Sequence, residues 1–128
     1  MLDPYMKKLA SDWIAAFGGT DSDYEPADED NPFTLIDCVV RGDRLYAWHL
    51  IMEIVELDAE RRSLPLLASS HVENFLELHG DAMIDYIEED IQQSPAAREM
   101  LWCVRQMQTP DHVWAKIEAL RSAEPPAS

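Results

Sequence analysis

The segment DRLYAWHLIMEIVE, residues 43–56, decides how this chain reads. Leu45, Tyr46, Trp48, Leu50, Ile51, Met52, Ile54 and Val55 make a helix apolar on nearly every side. Only His49, Glu53 and Glu56 form a polar stripe, at steps of four and three. Such a helix must be covered almost all round, so it belongs in the middle of a domain. Gly42 stops the element before it, and Asp43 supplies the N-cap oxygen. The rest of the chain has to supply the helices that wrap it.

Upstream, Asn31 and Pro32 form a cap-plus-proline start for a helix carrying Phe33, Leu35, Ile36, Val39 and Val40. Before that, an amphipathic helix is expected from Asp3 to Phe17, with Tyr5, Met6, Leu9, Trp13 and Phe17 on one broad face and Gly18-Gly19 at its end. Downstream, Ser70 and Glu73 are spaced as a capping box ahead of Phe75, Leu76 and Leu78. His79 and Gly80 are expected to close that helix, and Asp81 to open another with Ile84, Ile87 and Ile91 facing inward. Ser94-Pro95 starts a helix through Met100, Leu101, Trp102, Val104 and Met107; Thr109-Pro110-Asp111 starts the last, with Val113, Trp114, Ile117 and Leu120.

No segment alternates apolar and polar residues as a strand would. The expected fold is therefore all-α, a compact single domain over residues 1–128 of six or seven helices. The recurring cap-plus-proline starts fit stacked antiparallel helix pairs. At 128 residues and 47% hydrophobic content, one domain should bury roughly two-thirds of its unfolded surface. Trp48, Ile51, Val55, Leu101, Trp102 and Ile117 are the expected core. An acidic loop is expected at 18–31 and a frayed tail at 123–128. In that loop Asp21, Asp23 and Glu25 suggest a calcium loop, but Pro26 stands at the sixth position and Pro32 at the twelfth, where Gly and Glu are required.

The formal charge of −15 disfavours nucleic acid and anionic membrane as direct partners and suits a basic protein. No run reaches the roughly 20 apolar residues that span a bilayer, and the first residues lack the order of a secretory signal. Cys38 and Cys103, in apolar surroundings, read as free buried thiols of a cytoplasmic protein, with a disulfide between them left open by spacing alone. The four histidines match no metal-site spacing; none of them is expected to hold a metal, and no cofactor motif is present. Ser69-Ser70-His71 is the only nucleophile–base adjacency, and adjacent helical residues diverge by about 100°. The expectation is a protein that is not an enzyme.

One feature of the charge is local. No Lys or Arg occurs between Arg62 and Arg98, while seven carboxylates fall between His71 and Asp90. Glu88, Glu89 and Asp90 lie near a helix C-terminus, where the dipole disfavours them, and Glu77, Asp81, Asp85 and Glu89 recur every four residues. Local helix stability does not account for that pattern. A solvated face is the default reading of such a run, and a surface meeting something positive is the other, with Glu77, Asp81, Asp85, Glu88, Glu89 and Asp90 as charge contacts and Tyr86 as an aromatic anchor. Reversing Glu88, Glu89 and Asp90 to lysine is then expected to preserve folding and weaken binding.

His79-Gly80, Ile84, Ile87, Glu88, Arg98, Leu101, Val104, Pro110 and Val113-Trp114 together resemble a family of small bacterial all-helical domains of unknown function, over roughly Trp48 to Leu120. The resemblance implies a helical fold and no particular activity. Its members are similar to small stand-alone proteins found beside toxin genes. The leading expectation is thus a monomeric immunity-type inhibitor of a cognate basic toxin. The alternatives are an acidic nucleic-acid mimic that occupies a DNA-binding enzyme, or a helical adaptor without inhibitory role.

Overall fold

The computed structural model describes residues 4–17, 32–58 and 60–122. They form seven α-helical segments: α1 (Pro4–Phe17), α2 (Pro32–Val40), α3 (Arg44–Leu57), α4 (Leu64–Leu67), α5 (Glu73–Gln93), α6 (Pro95–Leu101) and α7 (Asp111–Ser122). No strand occurs among the described residues. The expected acidic loop, its Asp21–Glu25 segment, the Asn31 cap, Gly18-Gly19 and the tail lie outside them.

Helix α3 takes the central place its composition demands. It packs against α1 and α2 on one side and α5 and α6 on the other, while α7 covers α5 and α6. Asp43 caps it, accepting from the backbone N–H groups of Leu45 (2.9 Å) and Tyr46 (3.2 Å). Trp48, Ile51, Val55, Leu101 and Ile117 are buried as expected, in one core with Met6, Leu9 and Trp13 of α1. At the α3 C-terminus the buried Asp58 carboxylate accepts from the backbone N–H (2.8 Å) and hydroxyl of Ser63. This bond secures the turn into α4, in which Arg61 adopts a left-handed φ of 59°.

Several local expectations are corrected. Backbone angles stay helical from Leu64 to Gln93, so α4 and α5 are one run with a π-helical turn at Ala68–Val72. Ser70 is no N-cap: its hydroxyl donates back to the Leu66 carbonyl. Glu73 completes no capping box either; it is buried and receives the backbone N–H (2.8 Å) and guanidinium of Arg105. It thereby anchors the connection between α6 and α7, and the bond to Glu73 holds the Arg105 guanidinium above its ordinary pKa.

Gly80 does not end a helix, and Asp81 does not begin one; both lie inside α5. Gly80 marks a close approach instead, since a Cβ there would meet Val113 Cγ1 of α7 at 3.0 Å. Helix α6 stops at Leu101, six residues earlier than the apolar pattern through Met107 implies. Trp102 therefore leaves the helical phase and is 60% exposed instead of core, covering the Arg121 guanidinium at 5.3 Å. Val104 turns inward, and Met107 faces solvent with φ 46°. Ser94 does cap α6, but the Thr109 hydroxyl is buried without a hydrogen bond and caps nothing. Tyr5 and Leu78 are exposed, and Cys38 is an exposed free thiol while Cys103 is half-buried.

Candidate functional site: the outer face of α5

Because α5 runs unbroken, its carboxylates form rows. Glu77, Asp81, Asp85 and, three residues on, Glu88 face α7, and the close approach at Gly80 brings that helix alongside. The row is less bare than the sequence implies. Glu77 accepts from the backbone N–H of Gln108 (3.2 Å), Asp81 meets His112 Nε2 (2.6 Å), and Asp85 meets Lys116 Nζ (3.1 Å). Glu88 lies 3.9 Å from the same ammonium. The Asp85 bond and charge, with help from Glu88, raise the Lys116 pKa.

His112 and Lys116 stand four residues apart on α7, opposite Asp81 and Asp85, four apart on α5. The Lys116 rung of this ladder offsets part of the like-charge repulsion along α5, and the His112 rung adds a hydrogen bond. All four side chains remain solvent-exposed, so each pair contributes little to stability.

Asp90 belongs to the fold. Its carboxylate accepts from the indole Nε1–H of Trp48 at 2.7 Å, on the far side of α5 from the ladder. Of the acids at the α5 C-terminus, Glu89 alone is exposed without a hydrogen bond or ion pair to any described residue. Tyr86 is 41% exposed, and its hydroxyl is hydrogen-bonded to His49 Nε2 of α3 at 3.0 Å. That contact explains the polar position in an otherwise apolar helix.

One step round α5 from the row Asp81–Asp85–Glu89 lies a second row at the same spacing: Leu78, 57% exposed, then Ala82, then Tyr86. Beside it the α2–α3 turn comes up against α5, fixed by a 2.8 Å hydrogen bond between His79 Nε2 and the Val40 carbonyl. Between these walls lies an open groove of about 660 Å³, lined on the α5 side by His79, Ala82, Met83 and Tyr86 and on the other by the run Gly42 to Leu45, which includes Asp43 and Arg44. Leu45, at the groove wall, is 43% exposed. A second depression of about 190 Å³ continues along α5 past Arg41, Asn74, Glu77 and Leu78.

Of the residues expected to form a partner site, Asp81, Asp85, Tyr86 and Glu89 share this face. Glu77 and Glu88 lie at its α7 margin, and Asp90 leaves it for the core. Sequence reading missed Leu45, Leu78 and the groove. Among the described residues no cluster of three or more His, Cys, Asp or Glu is arranged to hold a metal, and no helix is long and apolar enough to cross a membrane.

The fold and this face define a small acidic all-α domain with a carboxylate-edged apolar groove along its longest helix. The chain belongs to DUF6869, a family of unknown function whose profile matches residues 23–124. The match begins well before Trp48, so α2, the turn at Gly42 and α3 fall inside the family region together with α5. No match was found among curated proteins or among solved structures.

Proposed function

We propose that this chain is a protein-binding module, not an enzyme, and that the outer face of α5 docks a basic protein, as an immunity-type inhibitor covers a basic toxin domain. The observation that carries this reading is the juxtaposition of two rows on α5. Leu78, Ala82 and Tyr86 form an exposed apolar row, and Asp81, Asp85 and Glu89 form a carboxylate row beside it. Apolar anchors supply affinity once water is excluded, while surrounding charge steers encounter and rejects wrong partners. A net charge of −15 opposes self-association through the same face, which favours a monomer. Two free thiols agree with action in the cytoplasm. A nucleic-acid mimic fits less well, because Lys116 inserts a cation beside the acidic row.

Glu88, Glu89 and Asp90 are the wrong triple to reverse, since Asp90 holds Trp48. Asp85→Lys with Glu89→Lys changes exposed positions and gives up only the surface pair of Asp85 with Lys116. Immobilised wild-type protein, incubated at low salt with extract of the source cell, should retain a basic protein that the double variant loses and that elutes as salt rises. If no retained protein distinguishes wild type from the variant, the reading is wrong.

A further inference from the structure

We infer that the element received by this face is a helix of about three turns, basic along one flank, lying alongside α5; the inference rests on the basic-partner reading above. The first ground is shape. Two depressions lie against α5 between Asn74 and Tyr86, the smaller lined by Arg41, Asn74 and Leu78 and the larger by Gly42, Leu45, Ala82 and Tyr86. Twelve residues of α-helix rise about 18 Å, the length of a three-turn helix. Ala82 and side-chain-free Gly42 line the larger depression together with Tyr86, and Leu78 lines the smaller one. Small residues between larger ones let a second helix axis approach closely.

The second ground is hydrogen bonding. A segment that docks by strand addition pairs its backbone with an exposed strand edge, and α5 offers none, its own N–H and C=O groups being bonded within the helix. A helical occupant satisfies its backbone internally and needs only side-chain contacts. The third ground is charge. Asp81, Asp85 and Glu89 stand on α5 beside the Leu78–Ala82–Tyr86 row on its α7 side, while Arg41 and Arg44 line the opposite wall. The flank of the occupant facing the acids therefore carries Lys or Arg, and the other flank does not. A second copy of this chain would bring another −15 to the same edge and is disfavoured.

Two synthetic peptides of about 16 residues, long enough for a bound helix, test this. One places leucines at helical spacing with lysines along one flank; the other has the same composition scrambled so that no helical face is apolar. Titrated calorimetrically against the full chain, the patterned peptide should bind at least about tenfold more tightly than the scramble. Ala82→Arg, at an exposed helical position, should remove that preference while the circular dichroism of the protein is unchanged. Equal, salt-sensitive binding of both peptides would overturn the helical occupant and leave the basic-partner reading standing. Binding of neither peptide would overturn both.

Discussion

Acidification from pH 6.5 to 4 should cost wild-type protein about 3 kcal/mol of stability that a His71→Leu variant does not lose. His71 sits in the π-helical turn, fully buried, with its ring 5.0 Å from Trp13 of α1 and 4.5 Å from Phe33 of α2. Neither ring nitrogen has a hydrogen-bond partner. Burial therefore disfavours the imidazolium and lowers the pKa from 6.5 to about 4, against a weaker opposing pull from Asp37. A folded-state pKa below the unfolded one means that the stabilisation is complete above pH 6.5 and is lost as pH falls through about 4. Urea denaturation of both proteins at several pH values checks this, because the carboxylate contributions cancel in the difference. The two curves should meet or cross near neutrality, where leucine removes unpaired nitrogens, and separate steadily below it. Parallel curves would mean that His71 is protonated, or solvated, in the folded protein.

Trp48→Ala should cost about 3–5 kcal/mol, enough to unfold a domain of ordinary stability at moderate denaturant. The indole is fully buried in the central helix, 5.6 Å from the Phe75 ring of α5, and its Nε1–H is the donor to Asp90. Alanine leaves a cavity between α3 and α5 and strips a partly buried carboxylate of its donor. Trp48→Phe separates the two effects, since it keeps most of the ring and deletes only the bond, which should cost about 1.5–3 kcal/mol. Urea midpoints give both values. A Trp48→Phe cost equal to that of Trp48→Ala would assign the whole effect to the Asp90 bond.

The central helix was legible because composition alone demands it: nothing but burial accommodates Leu50, Ile51, Ile54 and Val55 beside Trp48 on one helix. Asp43 and Ser94 were legible because capping is a local event. The breaks at Gly80 and Ser70 were misread for the same reason, since glycine and serine punctuate helices only where tertiary packing has no other use for them. Gly80 is spent on the approach of Val113, a contact 33 residues away in the chain. Trp102 was placed in the core by extending the α6 period past a helix end that nothing local marks.

The candidate site divides in the same way. The acidic rows were visible in spacing, and the matching His112 and Lys116 spacing was there to be read. Pairing them needs knowledge that α7 lies along α5. The groove joins Leu45 and Gly42 to Ala82 and Tyr86, and no local pattern says that the start of α3 meets the middle of α5. Asp90 shows the converse. An acid grouped by sequence with exposed neighbours is turned to the other side of its helix by 100° per residue.

The claim that the α5 face receives a basic partner is tested most directly by the association rate constant of the captured protein, followed against salt. Steering by Asp81, Asp85 and Glu89 predicts a rate that falls steeply between about 0.01 and 0.15 M salt, where the screening length shrinks from about 30 to 8 Å. Asp85→Lys with Glu89→Lys should lower the low-salt rate and flatten that dependence. A partner whose association rate is indifferent to salt and to both reversals would contradict the account.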